Sequence, residues 1–217
     1  MRLVPVSTVS TVLGWEDIPD LNEALGAVLD SVTDILAARL KTDFDLYSRV
    51  DKYQVQDSVF VRGMPRSHLL LSQSFVDRTS LQVQYSDQFV SLESAPDRTD
   101  ITSEVSLDIA RSCLSVFTRD LSGRFVRVAY TAGFGADTSD GTVYDQTAVP
   151  SWLQTLAITL AKQSISNDPR FKQEDPKFRQ ITDPGDLKLM AAGIDSVIAH
   201  RIRIAPKAMN PIFRGFA

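Results

Sequence analysis

The chain has 217 residues, 23 basic and 27 acidic side chains, and a formal net charge of −4. A hydrophobic content of 43% over this length supports one large domain or two small ones with a real core, so disorder and a disulfide-stapled miniature fold are both excluded. A single cysteine forbids an intramolecular disulfide, and Cys113 with the distant His68 and His200 does not make a structural zinc site. No apolar run approaches the roughly 18 residues of a membrane span. The opening, MRLVPVSTVSTVLGWED, has one basic residue and no long apolar stretch, and reads as mature protein rather than a signal peptide. Mild acidity argues against broad nucleic-acid binding.

The charge is unevenly spread. Residues 1–50 and 51–160 each carry a net −4, whereas residues 161–217 carry ten basic and six acidic groups. No acid follows Asp195, while Arg201, Arg203, Lys207 and Arg214 do.

Taken in chain order, residues 7–14 fit a short helix or a strand equally well. Leu21, Leu25, Val28, Leu29, Val32, Ile35, Leu36 and Leu40 then recur at helical steps. They predict a helix over about residues 20–42, opened by Pro19 and an Asp20/Glu23 capping box. The middle alternates with period two. Tyr53, Val55, Val59 and Val61, then Leu81, Val83 and Tyr85, then Val105, Leu107 and Ile109, then Phe125, Val126, Val128 and Tyr130 read as strands. Phe89, Val90 and Leu92 suggest a continuation of the Leu81–Tyr85 strand or a partner to it, residues 112–118 are ambiguous, and Ser122-Gly123 reads as a hairpin turn. A polar loop with glycines and acids follows. Pro150 opens a second helix faced by Leu153, Leu156, Ala157, Leu160, Ala161 and Ile165. After a charged linker, a third helix is predicted from Asp186, with Ala191-Ala192-Gly193 as a close-contact patch. The tail PKAMNPIFRGFA has no helical period.

The expected fold class is therefore α+β. A bundle of three to four helices (1–50 and 145–203) carries an inserted antiparallel β-domain (51–131), a small sandwich or barrel. Residues 132–144 are a loop, and 204–217 an extended C-terminal arm.

Few motifs suggest chemistry. Gly133-Phe134-Gly135 lies too far before the Pro150 helix for a dinucleotide fingerprint, and no P-loop lysine follows. Asp137, Asp140 and Asp145 lack the spacing of a calcium loop. There is no nucleophile elbow, and Cys113 reads as a buried structural thiol. His68 is expected to cap or edge a strand, and His200 to lie at a helix end. The expectation is a protein that is not an enzyme and uses no cofactor. The tail stands out instead: Met209, Ile212, Phe213 and Phe216 among cations suit an arm that docks on a partner.

The segment FVRVAYTAGFGADTSDGTVYDQTAVPSWLQTLAITLAKQ, residues 125–163, resembles the head–tail connector (adaptor, neck) proteins of tailed bacteriophages. The shared pattern is a strand ending in Tyr-x-x-Gly-aromatic, a variable polar loop and a Pro-started helix, matched here by Tyr130, Ala132, Gly133, Phe134 and Pro150. The opening segment, acidic break and long helix before residue 46 resemble the family's start. About 80 residues of strand-rich sequence depart from its small members.

The resemblance implies a structural virion protein that assembles in the host cytoplasm. It implies a homo-oligomeric ring, usually of twelve copies, beneath the portal protein. The ring contacts a tail-side neck or tail-completion protein and continues the DNA channel without sequence-specific binding and without a membrane. On this reading Arg201, Arg203, Lys207, Met209, Ile212, Phe213, Arg214 and Phe216 are the portal-binding candidates. The alternative is a virion binding module whose β-domain recognises a carbohydrate or protein.

Overall fold

The computed structural model describes residues 1–15, 19–56, 58–61, 63–93, 97–109, 112–168, 171 and 213–216. The chain divides into two compact units, Met1–Leu40 with Phe134–His200, and Lys41–Gly133 with Arg201–Ala217. The described residues of the first form helices α1 (Val6–Leu13), α2 (Pro19–Leu40) and α3 (Ser151–Asn167). Those of the second form strands, so the architecture is mixed α+β with two antiparallel sheets. The division falls at Leu40/Lys41 rather than at residue 50. The reason is local: Asp43 N–H donates to Gln73 Oε1 at 2.8 Å, and β1 already begins at Tyr47. The expected third helix from Asp186, with Ala191-Ala192-Gly193 and His200, lies outside the described residues.

The undecided N-terminal segment is a helix. Its β-branched residues do not favour one, but Val9 is fully buried and Gly14, at φ 69°, closes the end by donating to Ser10 and Thr11 carbonyls. Pro19 is the first residue of α2, where its missing N–H costs nothing, and Asp20 follows within the first turn. Leu25, Val28, Leu29, Val32, Leu36 and Leu40 are buried as the stripe requires, but Ile35 is 40% exposed, at the margin of the apolar face. α2 packs against α1 and α3, and α3 contributes buried Leu153, Leu156, Ala157, Ala161 and Ile165. The chain start is fastened to α2. Arg2 donates two bonds to Asp30 at 2.9 and 3.0 Å, and Leu3 N–H donates to Thr33 Oγ1 at 3.3 Å. Trp15 stacks on Phe171 with centroids 5.8 Å apart.

In the second unit the strands are β1 (Tyr47–Gln54), β2 (Val59–Val61), β3 (Met64–Leu70), β4 (Val76–Ser86), β5 (Thr99–Asp100), β6 (Val105–Asp108), β7 (Cys113–Val116), β8 (Phe125–Ala132) and β9 (Phe213–Phe216). One sheet runs β5-β4-β8-β1-β9, the other β2-β3-β7-β6. A single buried cluster draws on both: Tyr53, Val83, Val126 and Val128 from the first, Leu69, Leu114 and Val116 from the second.

Two expectations are corrected. Val90–Leu92 is a 3-10 turn and not a strand, with Leu92 buried beneath it. The Ser122-Gly123 turn exists, with Gly123 at φ 76°, but it does not make a hairpin: β7 and β8 lie in different sheets. The turn docks instead on the end of β1, through Gly123 N–H to Val55 O at 2.7 Å and Val55 N–H to Arg124 O at 2.9 Å.

β4 is irregular between Asp77 and Gln82, where its register with β8 shifts. Ser80 repairs the gap. Its hydroxyl accepts from Thr131 N–H at 2.7 Å and donates to Asp77 O at 2.8 Å, so the bulge leaves no orphaned donor there.

In the middle of β1, Asp51 has 0% exposure. A buried carboxylate is tolerated only when hydrogen-bond donors surround it. Here Ser72 gives its N–H and its hydroxyl, both at 2.7 Å, and the Tyr130 hydroxyl donates at 2.7 Å. The Tyr53 hydroxyl donates to Leu70 O at 2.7 Å beside them. Burial first, and the Asp51 charge second, push the Tyr130 phenol well above its ordinary pKa, so it remains a proton donor. We expect Tyr130→Phe to lower stability by about 1.5–3 kcal/mol, the worth of a bond to a charged acceptor. Tyr47→Phe, whose exposed hydroxyl meets Asp45, should change it by less than about 0.5 kcal/mol. Urea unfolding of the two variants checks the difference.

Candidate functional site

The motif segment begins where β8 ends. Tyr130 and Ala132 point into the buried cluster by the alternation of the strand. The chain then turns at Gly133, whose φ of 99° suits glycine alone. Space enforces the same choice. A Cβ here would sit 2.1 Å from the Asp45 carbonyl oxygen and 2.7 Å from that of Phe44. Gly133 N–H donates to Phe75 O at 3.2 Å, and Phe75 is itself held at φ 59°, a costly conformation for an aromatic residue. The joint is thus built from backbone against backbone.

Phe134 starts the return into the helical unit. It is buried and meets Tyr144 edge-on, 6.0 Å between centroids. Ala136 bridges Tyr144 and Arg2 bridges Val143, so the stretch expected as a plain polar surface loop is pinned by buried Phe134, Val143 and Tyr144. Pro150 stands immediately before α3 in extended conformation, φ −59° and ψ 137°, and its carbonyl accepts from Leu153 and Gln154. Gln154 Nε2 reaches back to the Gln146 and Val149 carbonyls at 2.9 and 3.0 Å.

The loop acids have a structural task. Asp137 Oδ1 accepts from the N–H of Ser139 at 2.7 Å, Asp140 Oδ1 from that of Thr142 at 2.9 Å, and Asp145 Oδ1 from that of Thr147 at 2.9 Å. The serine or threonine hydroxyl joins each carboxylate. Asp77/Thr79, Asp100/Thr102 and Asp120/Ser122 make the same main-chain bond at 2.7–2.9 Å. This recurring Asp-x-Ser/Thr turn was legible in the sequence as a spacing, and it explains acids otherwise weighed as metal ligands. Among the described residues, no group of three or more His, Cys, Asp or Glu is arranged to hold a metal.

Cys113 is buried in β7. His68 lies within β3, not at its edge, opposite Ser115 of β7, with Nδ1 2.8 Å from Ser115 Oγ. Burial first and Arg66 second lower its pKa. A polar cleft of about 440 Å³ is lined by Tyr85, Asp87, Gln88, Asp97, Thr99 and Arg124, and its one aromatic, Tyr85, is buried. No described helix is long and apolar enough to cross a membrane.

Of the residues expected in the tail, Arg201, Arg203, Lys207, Met209 and Ile212 lie outside the described residues. Phe213, Arg214 and Phe216 fall in β9, which pairs antiparallel with β1 from Arg49↔Phe216 to Lys52↔Phe213. The end of the expected arm is thus an edge strand on its own chain's sheet.

Among the described residues, one hairpin carries several exposed apolar side chains. At the β2–β3 hairpin Phe60 is 62% and Met64 63% exposed. Pairing sets Phe60 against Pro65 and Val61 against Met64, so both faces of the tip are apolar. Periodicity did not single this hairpin out; only the sheet order, which leaves β2 at an edge, exposes it.

Two outcomes are expected. Gly133→Ala should cost at least about 3 kcal/mol through strain and overlap. Gly141→Ala, with nothing within 4 Å of the added carbon, should be near neutral in the same thermal unfolding assay. Second, hydroxyl donors first and main-chain N–H groups next hold the Asp77, Asp120, Asp137 and Asp140 carboxyls below the usual range. Their folded pKa values lie below the unfolded ones. The stability they add is present above about pH 4 and is lost as pH falls through the folded values. Asp137→Asn with Asp140→Asn should flatten that acid decline in denaturant titrations run from neutral to acid pH.

No protein-family model matches the chain. No curated protein matches it either. Among solved structures, a chain from the neck of an empty GTA particle, computed with C6 symmetry, is similar to it at 15% identity and a TM-score of 0.44, over 94% of this chain and 92% of that one.

Proposed function

We propose that the chain is a non-enzymatic structural component of the neck of a phage-like particle, acting as a ring of identical copies in the virion. The observation that carries the reading is the strand–glycine–loop–helix joint. Tyr130, Gly133, Phe134 and Pro150, the residues that resemble the head–tail connector pattern, each have a defined place: a buried hydroxyl donor, a backbone contact with room only for glycine, an aromatic anchor and the residue before a helix.

A ring of identical wedges is built from heterologous side-to-side contacts. The two-sided apolar tip at Phe60 and Met64 supplies a surface for such contacts within the ring or with other neck proteins. The finer assignments belong to the same reading. The β unit is a small sandwich, the ring sits under the portal protein, and a tail-side neck or tail-completion protein lies below it. The acidic body lines a channel through which DNA passes without sticking. Arg201, Arg203 and Lys207, with the apolar residues after them, contact the portal.

Native mass spectrometry of the full chain, alone and with portal protein, tests the reading. Ring-sized oligomers and a portal complex are expected, and a stable monomer that never engages a portal would overturn it. Charge reversal at Arg201, Arg203 and Lys207 leaves β9 intact and should abolish portal binding. Unchanged binding would remove the portal assignment.

A further inference from the structure

Lys52 of β1, Arg127 of β8 and Gln84 of β4 are register partners across three neighbouring strands. Register partners share a face of the sheet. The residues beside them in sequence, Tyr53, Val126, Val128, Val83 and Tyr85, line the buried cluster on the other face. The Lys52–Arg127–Gln84 row therefore lies on the outer face. Arg98 reaches the same row, donating from Nη1 to Gln84 Oε1 at 3.2 Å. Arg98 Nε is buried and has no hydrogen-bond partner. Three cations thus converge on this row, and Glu93 bonds to Lys52 Nζ. Asp100, the next residue along the row, accepts from Thr102 N–H at 2.7 Å.

The two partners of the ion pair sit in different surroundings. The Lys52 side chain is 9% exposed and lies over the Phe89 ring at 5.5 Å, whereas the Glu93 side chain is 62% exposed. Glu93 thus faces water, whereas Lys52 is held against the sheet and the Phe89 ring. Electrostatics agree with this picture. Glu93 is held below the usual carboxylate range by its bond to Lys52 first, then by the charges of Lys52, Arg98 and Arg127. Burial first, and the neighbouring Arg98 second, lower the pKa of Arg127, while the Glu93 charge raises it.

We propose that Lys52, Arg98 and Arg127 form a recessed site for a single small oxyanion on the outer face of the five-stranded sheet, with Glu93 as its built-in placeholder. The ligand is a phosphate-like or carboxylate-like group that displaces Glu93 and accepts from the guanidinium N–H groups and the ammonium. A guanidinium offers a planar fork that suits either oxyanion. The recess disfavours a polyanion. Duplex DNA needs cations standing clear of the surface to track its backbone, and here the lysine is nearly covered. The proposal does not depend on the neck reading.

The test titrates the full chain with inorganic phosphate and, separately, acetate, at constant ionic strength in chloride, by calorimetry and thermal unfolding. We expect saturable binding to one site and a higher unfolding temperature than in chloride alone. Glu93→Gln should bind about tenfold more tightly, and Arg98→Gln and Arg127→Gln at least about tenfold more weakly. Glu93→Gln guards against a trivial explanation, because a misfolded variant does not gain affinity. A stronger response to phosphate would assign a tetrahedral ligand, and an equal or stronger response to acetate a carboxylate. The proposal is overturned if neither anion binds the wild type or Glu93→Gln, or if both arginine variants bind as the wild type does.

Discussion

The Asp51 carboxylate lies wholly inside the strand-rich unit, and with its donors it joins three separated stretches of chain. Its own strand is β1, Ser72 follows β3, and Tyr130 lies near the end of β8. A charge removed from water destabilises a fold heavily unless each of its oxygens is satisfied. The carboxylate therefore forces these three stretches into one arrangement, and a slip by one residue on any of them would aim the donor at the opposite face. Once Tyr130 is held, the position of Gly133 three residues later follows, and Gly133 has room only as glycine against the Asp45 and Phe44 carbonyls. The end of β8 thus rests on a buried polar contact.

The same economy appears on the surface. Turns between elements are closed by aspartates that accept from the N–H two residues on, helped by a serine or threonine hydroxyl. These side chains satisfy main-chain donors that would otherwise need water, and they let long connections hold a shape without helix or strand. Six of the acids, Asp77, Asp100, Asp120, Asp137, Asp140 and Asp145, are therefore turn chemistry. That weakens any inference from net charge alone to partners, and it moves attention to the places where charge is not matched locally. The outer face of the five-stranded sheet, with three cations around Glu93, is such a place.

Assembly surfaces also follow from topology. The β2 edge strand and its two-sided apolar tip face no core of their own, and β9 covers the β1 edge with backbone pairing alone described. Edges of this kind must be covered, charged or used.

Much of this was legible in the residues. The stripe from Leu25 to Leu40, the Pro150 start of α3 and the alternation of β4 and β8 are local patterns, and each became the expected element because burial of one face dictates its period. The α+β class followed from their order. Asp-x-Ser/Thr spacing was present in the sequence and carried the turn structure. What tertiary structure alone decided was pairing and context: that β7 and β8 flank a turn yet belong to different sheets, that Val90–Leu92 is a 3-10 turn, that His68 sits mid-strand, and that Phe213–Phe216 returns to β1. The same holds for Asp51, which nothing in its local sequence marks as buried, and for the Lys52–Arg98–Arg127 cluster, whose members are scattered along the chain. Local periodicity encodes which face of an element is apolar. Register and long-range contact are set by the summed packing of the whole chain, so no short window of residues contains them.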